Sequence, residues 1–134
     1  MIKIVTGDNR PIFQQIVDEF RTQIALGTLK EGTKIPSVRG LAMQLTINTN
    51  TVAKAYDKLT QLGLIESRKG LGLFVAARRR PLTEKERQQQ LLAAINTFVT
   101  SIIDLDFTSD DVLSQLEKKL KKLKVSAQEQ SKHD

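Results

Sequence analysis

Residues 37–63 read SVRGLAMQLTINTNTVAKAYDKLTQLG. Ser37 is a favourable helix N-cap, and the apolar residues that follow it recur at helical spacing. A second helical run begins at Asn48 and stops at Gly63, a residue type that commonly ends helices. The stretch therefore predicts two helices joined by a turn at residues 46–47. The inward residues are Val38, Leu41, Ala42 and Leu45 in the first helix, and Val52, Ala55, Tyr56, Leu59 and Leu62 in the second.

Two helices joined by so short a turn, the second beginning with polar side chains, match the helix-turn-helix motif. Another helix is predicted before them, with Asn9 as its N-cap, Pro11 opening it and Gly27 ending it. Residues 28–36 are rich in turn formers and are predicted to be a loop. Residues 1–5 are apolar and β-branched, which is compatible with a short edge strand.

A small β-structure is predicted directly after the helix-turn-helix. Residues 64–67 and 71–76 are short β-prone runs, and Arg68, Lys69 and Gly70 lie between them as a basic tip. The pattern therefore predicts a two-stranded wing.

The remainder of the chain carries two capped helices. Thr83 and Glu86 have the spacing of a capping box, and a second helix begins near Thr108 or Ser109. The apolar faces of these helices need a partner, because two helices alone supply little core, and a second copy of the chain is the economical one. The predicted dimerisation residues are Leu91, Leu92, Ile95, Phe98, Val99, Ile102, Leu113, Leu116, Leu120 and Leu123.

Positive charge is concentrated in the first part of the chain. Residues 1–81 carry 13 Lys and Arg against 6 Asp and Glu, whereas residues 82–134 carry 8 against 9. A basic domain attracts phosphate backbones, which makes nucleic acid the leading partner. Neither a signal peptide nor an apolar run long enough to span a membrane is present in the sequence, so a cytoplasmic protein is expected.

The outward face of the third helix is predicted to read DNA. Asn and Thr side chains hydrogen-bond to base edges, and Lys bonds to guanine or phosphate. Arg39 is placed to reach a guanine or a phosphate, and the wing glycines permit close backbone approach to DNA. The predicted DNA-binding residues are Ser37, Arg39, Asn48, Thr49, Asn50, Thr51, Lys54, Lys58, Arg68, Lys69, Gly70 and Gly72.

Each of these assignments has a structural alternative. Ser37 is first of all a cap, and any phosphate contact comes in addition. The alternative for Asn48 is a cap alone, and that for Asn50, Thr51, Lys54 and Arg39 is an ordinary surface residue, although DNA contact is the favoured interpretation of these four. Turn chemistry accounts for the wing glycines. A lysine run at residues 118–124 lies near a helix C-terminus, where cations are favoured, so a solvated helix face explains it better than a second nucleic-acid patch.

Catalytic and metal-binding constellations are absent from the sequence. The chain has no cysteine, its one histidine is His133, and it lacks a phosphate-binding loop or a nucleophile with a recognisable base. We therefore expect a protein that is not an enzyme and uses neither a cofactor nor a metal. The sequence identifies no small-molecule effector.

Five segments in order resemble the GntR family of bacterial transcription regulators, in particular its short YtrA-like branch. The segments are residues 11–16 (PIFQQI), 29–32 (LKEG) with 35–39 (IPSVR), 48–56 (NTNTVAKAY), 63–66 (GLIE) and 70–75 (GLGLFV). The resemblance implies a homodimer on a palindromic operator, with Arg39, the start of the third helix and the wing glycines at the DNA.

The chain departs from the family pattern at three positions. Gly40 replaces a glutamate, which removes the reciprocal half of the Ser37 capping box. Thr46 replaces a turn glycine, so it must adopt a strained left-handed conformation or reshape the turn. Leu73 replaces a wing threonine, which removes a hydroxyl from the wing.

The sequence thus predicts a mainly α fold with a small β wing. Residues 1–81 form a winged helix-turn-helix DNA-binding domain, residues 82–125 a two-helix dimerisation domain, and residues 126–134 a disordered tail. The expected function is a sequence-specific, homodimeric transcription regulator, a repressor, that binds double-stranded DNA. The alternative is a winged-helix protein-interaction module without specific DNA binding.

Overall fold

The computed structural model describes residues 2, 9–77 and 82–133, and within them it contains five helices and three short strands. The predicted edge strand over residues 1–5 lies outside the described residues except for Ile2, which is buried in the core. The mainly α fold with a small β-structure is confirmed. The elements are α1 (Ile12–Leu26), β1 (Lys34–Ile35), α2 (Val38–Leu45), α3 (Thr49–Gln61), β2 (Ile65–Arg68), β3 (Gly72–Val75), α4 (Glu84–Ile102) and α5 (Ser109–His133).

The first helix begins later than predicted. Pro11, and not Asn9, is the N-cap of α1, and its carbonyl oxygen accepts from the backbone N–H groups of Gln14 and Gln15 at 3.0 and 3.1 Å. Because proline fixes its own φ in the helical range and has no N–H to satisfy, it starts the helix without a side-chain cap. Gly27 ends α1 in the left-handed conformation at φ 81°, as predicted.

Local caps define the helix-turn-helix. Ser37 Oγ accepts from the N–H of Gly40 at 3.0 Å, and Asn48 Oδ1 accepts from the N–H of Asn50 at 2.7 Å, so both predicted caps are confirmed. Thr46 adopts the left-handed conformation at φ 56°. The predicted burial of Leu62 is wrong: it lies just after the last residue of α3, at the helix C-cap, and is 43% exposed.

The wing is part of a three-stranded sheet. The strand order is β1-β3-β2, both pairs are antiparallel, and β3 is central. This corrects the two-stranded wing of the sequence analysis, in which residues 28–36 were a loop. A strand of two residues has no alternation pattern of its own, and it forms here because β3 offers an unpaired edge.

Apolar side chains from Ile2 and from all the elements of residues 9–77 share one core. The inward face of α3 packs against α1 and α2, and the sheet covers it with residues from each of its strands. The largest fully enclosed side chains are Ile16, Val17, Phe20, Leu41, Val52, Leu59 and Val75. A rigid core of this kind holds the outward face of α3 in place.

Residues 79–134 form a separate compact unit that contains α4 and α5. Thr83 and Glu86 form the predicted capping box, with Thr83 Oγ1 accepting from the N–H of Glu86 at 3.1 Å. In residues 82–123 none of the described side chains is fully buried. None of the helices in the described part of the chain is long and apolar enough to cross a membrane.

The predicted disordered tail is corrected by α5, which continues to His133. Residues 126–133 contain neither glycine nor proline, so nothing in the sequence ends the helix after its last apolar residue. Earlier in α5, Lys121 pairs with Glu117 at 2.9 Å, which fits the solvated-face interpretation of the lysine run.

Candidate nucleic-acid interface

The first turn of α3 presents a polar surface to solvent. Thr49 and Asn50 are exposed, whereas Thr51 is half-buried against the domain. Lys54, Asp57 and Lys58 continue the exposed face along the helix. This arrangement follows from the helical repeat, because the buried residues of α3 occupy its opposite side.

Asn48 stands at the start of this surface as an N-cap. Its Oδ1 accepts from the N–H of Asn50, which fixes the side chain at the start of the helix and leaves the two amide N–H donors of Asn48 towards solvent. The cap of Asn48 is confirmed, and its contact with DNA stays a prediction. Asn50 is better placed to pair with an adenine edge through both its amide atoms.

The side chain of Lys54 is held back towards the first helix. Its Nζ lies 4.0 Å from the centroid of the Phe13 ring of α1, a cation–π contact. Phe13 is half-buried, so the contact anchors the lysine at the α1–α3 junction. Periodicity placed Lys54 on the outward face, but nothing in its spacing could have identified this contact with a residue 41 positions earlier.

Two residues at the start of α2 were predicted to contact DNA. Ser37 Oγ is used as the cap, as described above, while Arg39 is exposed on the first turn. Tyr56 of α3 fixes this end of α2, because its hydroxyl donates to the carbonyl oxygen of Pro36 at 2.8 Å. Burial raises the pKa of Tyr56 far above its ordinary value, so the hydroxyl keeps its proton and remains a donor.

The tip of the wing is a tight turn that depends on glycine. The N–H of Leu71 donates to the carbonyl of Arg68 at 2.9 Å, and Gly70 between them has φ 76°. Gly72 follows at φ 118°, also a conformation that a side chain disfavours. Lys69 is exposed on this tip. Leu73 packs against the core, so the position that lost the hydroxyl faces inward.

Arg68 is already engaged within the wing. Its Nε and Nη2 donate to Glu66 Oε1 at 3.1 and 3.0 Å, and its guanidinium lies 4.4 Å from the centroid of the Phe74 ring. Both partners lie on the same face of the sheet, since Glu66 and Phe74 are paired in register. This ion pair is solvent-exposed, and the DNA contact of Arg68 stays a prediction.

One basic residue of this region is not predicted from the sequence. Lys34 belongs to β1, which was predicted as loop, and it is exposed beside Gly72 of the wing. In the sequence, only its positive charge pointed to a role for Lys34 in binding DNA. In the described residues no group of three or more His, Cys, Asp or Glu side chains is arranged to hold a metal ion.

Comparison with known proteins identifies the fold's relatives. The model for bacterial regulatory proteins of the gntR family matches residues 12–75. The uncharacterized HTH-type transcriptional regulator YhcF of Bacillus subtilis is 30% identical over 105 residues, which cover 78% of this chain and 86% of that protein. The HTH-type transcriptional repressor YtrA of the same organism is 40% identical over 76 residues, 57% of this chain and 58% of that protein.

Solved structures agree with these relatives. A structure described as a transcriptional antiterminator from Listeria monocytogenes has a TM-score of 0.75 at 28% identity and covers 92% of both chains. The DNA-binding domain of AraR in complex with operator ORX1 has a TM-score of 0.50 at 28% identity, covering 56% of this chain and 96% of that one. The chain described here therefore belongs to the GntR family of bacterial transcription regulators and resembles its YtrA-like members.

Proposed function

We propose that this protein is a sequence-specific repressor that binds a palindromic DNA operator as a homodimer. The observation that carries the proposal is the exposed polar first turn of α3, held in place by the Asn48 cap and by the Tyr56 hydroxyl. A helix of this kind enters the major groove with its N-terminal residues at the base edges. Asn50 and Arg39 supply the two side-chain types best suited to adenine and to guanine.

Electrostatics supports the same surface. Arg39, Lys58 and Lys69 are exposed on α2, α3 and the wing, whereas Glu66 is neutralised by Arg68. Cations spread over three elements match the two phosphate ridges that flank a groove. The operator complex of the related AraR domain supports duplex DNA as the ligand.

The second unit supports the homodimer. Its apolar residues are exposed in one chain, among them Leu91, Ile95, Leu113 and Leu120. Phe98 and Ile102 of α4 line the same groove as Leu116 of α5, so the two helices contribute to one apolar surface. A two-fold dimer that covers this surface presents two α3 helices, and half-sites about 34 Å apart would accept them in successive major grooves.

Repression is proposed by analogy with the relative named as a repressor, YtrA of Bacillus subtilis. A dimer that occupies an operator overlapping a promoter blocks transcription without any catalytic group. This agrees with the absence of an enzyme-like constellation in the sequence.

Selection of bound fragments from random duplex DNA tests specificity and symmetry together. We expect the selected fragments to contain an inverted repeat. A duplex RNA of the same sequence should not compete with this DNA for the protein. Asn50→Ala and Arg39→Ala should each weaken operator binding by about 10- to 100-fold, corresponding to about 1–3 kcal/mol for one bidentate contact. Each variant should relax the preference at one base pair, and Asn50→Ala, which removes no charge, should leave binding to unrelated DNA unchanged.

Gln61→Ala is the matched control, because Gln61 is exposed on the same helix but at its far end. It should bind the operator like the wild type. A protein that treats every duplex alike, with Asn50→Ala and Arg39→Ala both silent, would instead be the winged-helix protein-interaction module.

A further inference from the structure

The outer face of the three-stranded sheet places a lysine beside the wing. Lys34 of β1 pairs with Phe74 of β3, and its neighbour Ile35 is buried in the core. Because side chains alternate along a strand, Lys34 lies on the side of the sheet away from the core, together with Phe74 and Gly72. Lys34 is exposed there.

Gly72 leaves room for the stem of this lysine. A Cβ atom built on Gly72 would stand 3.0 Å from Lys34 Cε and 3.6 Å from Lys34 Nζ. The side chain of Lys34 therefore runs along β3 from its pairing partner Phe74 towards Gly72, the first residue of that strand. This path carries the ammonium group to the tip end of the wing, next to the turn that contains Gly70.

The ammonium group of Lys34 has no carboxylate partner among the described residues. No ion pair of Lys34 is present among the residues that the structure describes, whereas Arg68 on the same face is paired with Glu66 at 3.0 Å. An ammonium group that keeps its three donors in solvent remains available to an anion. The outer face of the sheet thus carries an engaged cation, Arg68, and an available one, Lys34, which belongs to the strand that the sequence does not reveal.

We propose that Lys34 is a phosphate-binding residue of the wing, whose ammonium holds a backbone phosphate of duplex DNA. The assignment rests on the proposed function, since it requires the wing to lie against DNA. It also gives Gly72 a second role, because the absent side chain makes a channel for the lysine stem in addition to permitting φ 118°. Lys34 contributes affinity without sequence preference, because a phosphate carries no base information.

Lys34→Met tests the assignment, since methionine keeps an apolar stem of similar length for the Gly72 channel and removes only the charge. Binding of the full-length variant to the selected operator and to an unrelated duplex is measured by fluorescence anisotropy across a range of salt concentrations. We expect the slope of log affinity against log salt to fall in magnitude by about 0.9, the value for one phosphate contact. Affinity for the two duplexes should fall by the same factor, and the thermal unfolding midpoint should stay unchanged.

Two control variants separate this role from a structural one. Lys34→Arg should restore the wild-type slope, and Lys85→Met, which removes an exposed charge from α4, should not alter it. A Lys34→Met variant with the wild-type slope would overturn the assignment while leaving operator binding intact. Absence of any salt-dependent DNA binding by the wild type would overturn the proposed function as well.

Discussion

Tyr56 joins three parts of the DNA-binding domain through one side chain. Its hydroxyl donates to the Pro36 carbonyl just before α2, and its ring meets Phe20 of α1 edge-on, with centroids 5.7 Å apart. The residue itself lies in α3, one turn after the Thr51 and Val52 positions. The orientation of the recognition helix against its neighbours therefore depends on a residue whose side chain is turned into the core.

Replacing Tyr56 should lower stability in a pH-dependent way. Tyr56→Phe removes the donor to Pro36 and is expected to lower the free energy of unfolding by about 1–2 kcal/mol at neutral pH. Burial raises the pKa of Tyr56 in the folded protein, whereas the unfolded chain ionises near pH 10. The wild-type advantage should therefore be complete below about pH 10 and decline as pH rises beyond it.

Denaturant titrations of both proteins at a series of pH values measure this difference. Other groups titrate at high pH, so the quantity to follow is the gap between wild type and variant, which cancels their contribution. Tyr56 is the one tyrosine of the chain, and its tyrosinate absorbance in the folded protein gives an independent readout. A gap that stays constant well above pH 10 would contradict the raised pKa.

At the scale of elements, the turn between α2 and α3 contains backbone strain. Thr46 is exposed and has φ 56°, a conformation that costs a residue with a Cβ about 1–2 kcal/mol. Thr46→Gly removes this cost. The greater conformational entropy of glycine in the unfolded chain, however, lowers the free energy of unfolding by about 0.5–1 kcal/mol. We therefore expect a net increase of about 0.5–1 kcal/mol in the free energy of unfolding, measured by denaturant titration.

Thr46→Ala is the control for the turn, because alanine keeps the Cβ and with it the strain. It should show no comparable gain. If alanine and glycine stabilise the protein equally, the gain comes from loss of the threonine side chain and not from removal of the backbone strain at φ 56°.

The elements also show which features of the structure a sequence can predict. α2, α3 and the caps at Ser37 and Asn48 have local causes, namely spacing and a side-chain oxygen next to the helix, and they were predicted. β1 has no local cause, because Lys34 and Ile35 become a strand only through pairing with β3. The position of Lys34 beside the wing and the ion pair of Arg68 were not predicted, for the same reason. Both depend on contacts across the sheet.

For the whole molecule, the two compact units differ in how completely they bury apolar surface. Residues 9–77 enclose a core that includes Phe20 and Leu59, whereas residues 82–123 have no fully buried side chain among those described. Exposed leucines and isoleucines in such number are typical of an interaction surface. A second copy of the chain would cover these side chains. The affinity of the DNA-binding unit for its operator would then depend on the dimerisation surface in residues 82–123.

Ile95→Lys should separate dimerisation from DNA recognition. Ile95 is 45% exposed in the apolar arc of α4, and a lysine there would place a charge in the proposed interface. Thr97→Lys adds the same charge on the opposite side of the helix, and it should remain dimeric. We expect sedimentation equilibrium to show a monomer for Ile95→Lys, with operator affinity reduced by about 100-fold through loss of the second half-site contact. Binding to an isolated half-site should match that of the wild type, because residues 9–77 keep their own core. A dimeric Ile95→Lys protein would show that this face of α4 is not the interface.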